Sequence, residues 1–381
     1  MYRRTFIAAG AFGAVAALSD PALASPDSDG RIQAPSDTLP DRDSIVETVR
    51  LVNDHWIDSH PDPGTNLWDV AAYFSGNMDA YRLTDEPRYL DYAAGWAQSH
   101  DYGLPDGPTT RNADNQCCGQ TYLDLYELDP DPAKIAQLDE SVGGMVYGDP
   151  DADDDWWWCD ALHMAMPVFT RLGDLRGDYA YREKMFQLYR HAKLREGGGL
   201  YDFDDELWYR DGEYVQPGGI TSPNGLPVFW SRGNGWAAAA HVKVLKTTPP
   251  SDARWTEYRN NLVAVCRSVS RVQREDGLWN VNLADSDHHP GPETSGTAFF
   301  AYAIAYGVNA GMLDREEYLP TLARAWNGMV DVAMRDDGFL GYIQGPGDGP
   351  DSSQPVTEDS TFPYGVGAFL HAGKEIAELA D

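Results

Sequence analysis

Between residues 41 and 380 the chain repeats one pattern: a helix-length stretch with apolar positions at helical spacing, then a break rich in Pro, Gly, Asn, Asp or Ser. The first two stretches cover 41–58 and 66–83, and the second sets Trp68, Ala71, Ala72, Ser75 and Met78 on one face. Thr84-Asp85-Glu86-Pro87 then supplies an N-cap and a first-turn proline for a third. The pairing recurs as 114–126 with 133–140, 156–172 with 179–191, 232–245 with 252–272, and 293–310 with 315–333. The last stretch, 364–379, is left to meet the first. Alternating strand patterns are nearly absent. The pattern predicts an all-α fold of twelve helices in six helical hairpins, a closed (α/α)6 barrel forming a single domain over 41–381.

Loop length says which end of that barrel works. Turns inside a hairpin are short, whereas 99–113, 143–155, 192–231, 273–292 and 334–363 are long, and long connections in compact domains are usually functional. The helices they enter are rich in small residues, among them Gly119, Ala161, Ala237 to Ala240, Gly296 and Gly367, as helices crowded around an axis must be. The inner helices therefore start at one rim, and a pocket is expected there.

Charge narrows the partners. Sixty acids against 29 bases give a net charge of -31, which excludes electrostatic binding to nucleic acid and to an anionic membrane surface. Asp supplies 44 of the acids and Lys only six of the bases, a surface suited to staying hydrated in concentrated salt. At the start, Arg3-Arg4, a Gly/Ala-rich apolar run and Ala22-Leu23-Ala24 read as a twin-arginine export signal over 1–24, followed by a flexible segment over 25–40. The protein is expected to be exported, soluble and extracellular or in the cell envelope. Its four cysteines, two of them adjacent, read as buried free thiols rather than a disulfide framework.

The six expected helix starts carry Trp68, Asp114, Trp156-Trp157-Trp158-Cys159-Asp160, Arg232 to Trp236, Glu293 and Tyr364. Rings that stack on sugar faces beside carboxylates that handle protons are the usual furniture of a carbohydrate site. An Asp at a helix start is ordinarily a cap, yet here all six starts agree. Asp160 is the sharpest candidate, expected in the first turn of its helix with His163 and Met164 one turn on. The neighbouring tryptophans desolvate it, and Asp114 would raise its pKa further and share the proton traffic. His288-His289 has no metal-ligand spacing, no dinucleotide or phosphate-loop motif is present, and neither metal nor cofactor is expected.

Trp158-Cys-Asp160-Ala-Leu-His-Met164, Trp230-Ser-Arg232-Gly-Asn-Gly-Trp236, Asp276-Gly-Leu-Trp279, Glu293-Thr-Ser-Gly296 and Tyr364-Gly-Val-Gly together resemble the unsaturated glucuronyl and rhamnogalacturonyl hydrolases of glycoside hydrolase families 88 and 105. The likeness runs from about residue 42 to the end. It implies an (α/α)6 barrel acting on the small oligosaccharides that polysaccharide lyases leave behind. It further implies Asp160 as general acid and base, Asp114 as the second essential carboxylate, and Arg232 with Trp236 on the unsaturated uronate. Trp68, Trp158, His163, Met164 and Tyr364 complete the expected sugar contacts.

One departure concerns the aglycone. Many such enzymes carry a His after the Leu-Tyr that opens the long loop, whereas Leu200-Tyr201 is followed here by Asp202, and Trp208-Tyr209-Arg210-Asp211 comes further on. A rhamnose-linked galacturonate from pectin is the first expectation and the glucuronate-rhamnose sulfate of ulvan the second. A sugar epimerase and a non-catalytic sugar-binding protein are the alternatives from other classes.

Overall fold

The computed structural model describes residues 34–380. The expected export signal and the first part of the segment 25–40 lie outside the described residues. The rest of that segment is tied down: Asn327 Nδ2 donates to the carbonyls of Ser36 (2.9 Å) and Thr38 (3.0 Å), and Leu39 packs on the core.

The predicted barrel is present. Its outer layer is α1 (Arg42–Ser59), α3 (Pro87–Ser99), α6 (Ala136–Gly143), α8 (Ala180–Leu194), α10 (Trp255–Ser270) and α12 (Arg315–Gly328). Its inner ring is α2 (Trp68–Thr84), α4 (Ala113–Gln116) continued by α5 (Gly119–Leu128), α7 (Ala161–Arg176), α9 (Ser231–Thr247), α11 (Thr294–Asn309) and α13 (Pro363–Leu379). Each inner helix packs on the next, and α13 closes the ring against α2.

Burial follows from the two kinds of sequence. In α3 only Tyr89, Ala93, Trp96 and Ala97 are buried, the one stripe that an amphipathic outer helix offers a core. In α11 every residue from Thr294 to Ala305 is buried, so the helix is flanked on all sides. Such crowding needs small residues. A Cβ added to Gly76 of α2 would stand 2.2 Å from the carbonyl oxygen of Gly367 in α13, so only glycine allows these helices to cross where they do.

Local boundaries depart from the periodic reading in informative places. The stretch expected as 114–126 breaks at Cys117-Cys118 into α4 and α5. The helix expected to end at 140 runs on to Gly143 and into a π turn, Gly144–Gly148, and the stretch ending at 333 finishes in another, Met329–Ala333. Trp156 to Cys159 do not begin a helix: α7 starts at Ala161, and Asp160 is its N-cap residue rather than a first-turn residue. Those tryptophans are pulled out of helix by long-range pairing, because Trp158 forms an antiparallel bridge with Asp211 and Cys159 N donates to the Arg210 carbonyl at 2.8 Å. The only strands among the described residues form a ribbon of Tyr201–Asp202 and Leu207–Trp208. The four cysteines are free and buried.

Candidate active site

The inner helix starts gather under the long loops around a pocket of about 370 Å3 lined by Trp68, Asp114, Trp158, Asp160, Met164, Arg210, Trp230, Arg232 and the turn Pro346-Gly347-Asp348. Six residues expected at the site are therefore together: Asp160, Asp114, Trp68, Trp158, Met164 and Arg232. Arg210 and the 346–348 turn were not among those expected.

Each side chain has a local cause for its position. Asp160 sits at an N-cap yet makes no capping bond, so its carboxyl is left to the pocket. A role as helix cap is thereby removed. Asp114 is placed by Asn112, the N-cap of α4, whose side chain accepts from Asp114 N at 2.8 Å. Glu293, by contrast, is a structural acid. It caps α11 by accepting from Ser295 N and Gly296 N, and it accepts from Gln344 N at 3.1 Å, which fixes the start of the turn over the pocket.

The electrostatics of the two aspartates run against the ordinary carboxylate range. Burial first, and the nearby Asp160 second, push Asp114 up to about 7, with Arg210 pulling the other way. Burial also raises Asp160, opposed by Arg210 and then Arg232. Two desolvated carboxyls, one of which raises the other, hold a proton near neutrality at Asp114. This is what an acid that must later act as a base requires.

Arg210 enters through the same bridge that unwinds the tryptophans. Its Nε lies 3.5 Å from Asp160 Oδ2, its Nη1 bonds Asp211 Oδ2 at 2.8 Å, and its guanidinium covers the Trp157 ring at 5.3 Å. The sequence carried one signal for it, the Trp208-Tyr209-Arg210-Asp211 stretch, but periodicity cannot show that a loop residue pairs with another fifty positions away.

Four of the expected sugar contacts are engaged within the protein. Arg232 is fully buried, between the rings of Trp230 (4.3 Å) and Tyr364 (4.8 Å). Its Nη1 donates to the Gln344 carbonyl and to Tyr364 Oη (3.0 Å), and its Nη2 to the Gly345 carbonyl (2.9 Å). The fork expected for a carboxylate is committed to holding the turn over the pocket. Trp236 follows Arg232 by four residues, one helical turn deeper, where it is wedged between His163 and Phe299 and does not line the pocket. His163 is fully buried beside it, and burial pushes its imidazole far below the usual range, so it is neutral. Tyr364 is likewise buried, stacked on Trp68 at 5.3 Å and bonded to the Gln344 carbonyl. These three side chains form the floor that supports the pocket.

The histidine pair outside the pocket has a defined role as well. His288 and His289 both direct Nε2 at Asp351 Oδ1, at 3.0 and 2.6 Å. Asn282 Oδ1 accepts from Phe229 N and Ala284 N, so its amide nitrogen faces His288 Nδ1 (3.2 Å), and the imidazole proton is left on Nε2 to donate to Asp351. The cluster clips the 285–292 loop to the loop that carries Pro346-Gly347-Asp348.

The chain is similar to known proteins along the whole barrel. The sequence model of Glycosyl Hydrolase Family 88 matches residues 45–380. The chain is 30% identical over 359 residues to an unsaturated 3S-rhamnoglycuronyl hydrolase of Formosa agariphila, covering 89% of this chain and 92% of that one. A protein of the same name from an Alteromonas species is 30% identical over 337 residues, 81% of this chain and 77% of that one. The unsaturated rhamnogalacturonyl hydrolase YesR of Bacillus subtilis is 24% identical over 297 residues, 72% of this chain and 78% of that one. Among solved structures, a family 88 glycosyl hydrolase from Bacteroides vulgatus superposes with a TM-score of 0.82 at 35% identity, over 89% of this chain and 99% of that one. A chain described as a polysaccharide lyase gives 0.83 at 39% identity, over 89% and 98%.

Proposed function

The chain belongs to glycosyl hydrolase family 88 and is a glycoside hydrolase of the unsaturated-uronyl kind, and from that premise we propose that it hydrates the C4=C5 double bond of the uronate ending lyase-generated oligosaccharides, with sulfated rhamnose as the preferred aglycone. The observation that carries the chemistry is the pair of desolvated carboxyls with raised pKa facing one aromatic-walled pocket.

Protonated Asp160 gives its proton to C4, and positive charge develops at C5 and the ring oxygen. The Asp160 carboxylate then takes a proton from a water whose oxygen adds to C5, which returns Asp160 to its acid form. The hemiketal at C5 opens, the anomeric carbon becomes an aldehyde, and the aglycone leaves with its own oxygen. Asp114, pushed up to about 7 by burial and the Asp160 charge, shares the site's proton with Asp160. Trp68 and Trp158 offer ring faces to the sugar.

For the aglycone, both rhamnoglycuronyl relatives share more identity over more of the chain than the rhamnogalacturonyl one. This favours the ulvan-type linkage over the pectin-type linkage that the motifs alone put first. The epimerase alternative needs a pocket histidine, and His163 is fully buried within the floor and does not line the pocket. A lyase, suggested by the description of one similar structure, would create the double bond rather than consume it.

One assay separates these readings. Unsaturated disaccharides from ulvan, pectin and glycosaminoglycan lyases are incubated with the enzyme in concentrated salt, and the ultraviolet absorbance of the double bond is followed. The expected result is fastest loss with the ulvan product. Faster loss with the pectin product would restore the rhamnogalacturonan reading, and persistent or rising absorbance with all three would refute hydration.

A further inference from the structure

We propose that Arg210, and not Arg232, receives the C6 carboxylate of the unsaturated uronate. The assignment rests on the uronyl hydrolase reading and adds to it the residue that selects an acid over a neutral sugar.

A carboxylate is best held by two parallel N–H groups of one guanidinium. Arg232 has spent both Nη groups on the Gln344 and Gly345 carbonyls and on Tyr364, and retains only Nε. Arg210 is arranged the other way round. Asp211 takes Nη1 at 2.8 Å and is itself anchored, accepting from Glu213 N at 2.9 Å and bridging to Trp158. The edge that remains is Nε with Nη2, the side-on fork. Among the described residues neither atom makes a hydrogen bond, and Nε is a buried donor without a partner. Leaving such a donor unmade costs stability, which binding an anion there would recover.

Position agrees with the chemistry. In the unsaturated uronate the carboxylate is attached to C5, one bond from the carbon that Asp160 protonates. Whatever binds the carboxylate must therefore stand a few ångströms from the Asp160 carboxyl, and Arg210 Nε is 3.5 Å from Asp160 Oδ2. Substrate binding also changes the proton balance. In the free enzyme Arg210 draws Asp160 toward ionisation. A substrate carboxylate on Arg210 cancels that pull, so Asp160 is protonated when the double bond arrives. After transfer the same guanidinium steadies the Asp160 anion that activates water.

The test measures kcat/KM for an unsaturated disaccharide and for its C6 methyl ester, with wild type, Arg210→Gln and Arg210→Lys, each checked for an unchanged melting temperature. Wild type is expected to prefer the acid by about a hundredfold, the size of a lost charge-assisted fork. Arg210→Gln should bring that ratio near one by slowing the acid far more than the ester. Arg210→Lys, which keeps the charge without the fork, should fall between and remains informative where the glutamine variant does not fold. An acid-to-ester ratio that survives both substitutions overturns the assignment. So does a loss in the variants of preference for sulfated over desulfated aglycone with the acid-to-ester ratio intact. Wild type inert toward both acid and ester would instead refute the hydrolase reading, and this assignment with it.

Discussion

Both mouths of the barrel hold a cavity of about 370 Å3 lined with charge, and they differ in how that charge is paired. At the mouth formed by the inner helix ends, Arg82 bonds Asp79 at 2.9 Å and Asp124 at 2.7 Å, and Arg171 reaches Asp124 and Glu127, both at 2.8 Å. Lys246 pairs with Glu375, and His371 Nδ1 meets Asp79 at 2.7 Å. Burial pushes Asp79 upward, yet the His371 contact and the Arg82 charge hold it well below the usual range. Lys243 alone relies on neutral partners, Ser75 Oγ and Gln120 Oε1, and burial lowers it to about 8. At the catalytic mouth the carboxyls sit above their usual range and a guanidinium edge is empty. Cavity size and polarity are therefore no guide to function here. What marks the active end is a pair of carboxyls raised by burial and a guanidinium edge left without a hydrogen bond, a stability cost that is offset when substrate binds.

Substitutions at the two mouths should accordingly fail in opposite ways. The largest effect is expected from Asp160→Asn, which keeps the shape but has no proton to give: kcat should fall about 10^3- to 10^4-fold with the melting temperature unchanged or raised, as steady-state kinetics and calorimetry would show. Next comes Asp124→Ala at the opposite mouth, which leaves Arg82 and Arg171 short of their shared carboxylate. Stability should drop by about 3 kcal/mol in denaturant unfolding, while kcat/KM on folded enzyme changes less than about twofold.

The smallest effect has the most telling sign. Asp114 has a folded pKa of about 7 against 3.8 for the ordinary carboxyl. The folded state thus binds the proton more tightly, and stability is lost as pH rises between those values. Asp79, held below its usual range, contributes stability above that range that is lost as pH falls through its folded pKa. Asp114→Asn should therefore stabilise the protein at pH 8 by about 1 kcal/mol and do nothing for it at pH 4, whatever it costs in rate. Urea titrations at the two pH values would read this directly, and a destabilised variant at pH 8 would remove the distinction between the two mouths.

How far the sequence carried can be judged from particular residues. The helical hairpins and the meeting of both aspartates at one rim were legible because they rest on periodicity and loop length, which are local. Asp160 was found but placed one turn too far into its helix, since the pairing of Trp158 with Asp211 that unwinds residues 156–159 joins positions distant in the chain. Trp236 was recognised through its motif, yet a residue four places after Arg232 on an inner helix points into the core. The engagement of Arg232 with the turn over the pocket was beyond reach for a further reason. Which guanidinium is spent depends on the backbone carbonyls of Gln344 and Gly345, and carbonyls have no signature in a sequence.

The central claim is that the enzyme attacks the double bond and not the glycosidic bond. Its most direct test follows, in the first seconds of one reaction, the double-bond absorbance and the aglycone released by wild type and by Asp160→Asn. The account predicts that in wild type the absorbance falls no later than the aglycone appears, with equal final amounts, and that neither signal moves in the variant. Aglycone appearing while the absorbance persists would contradict it.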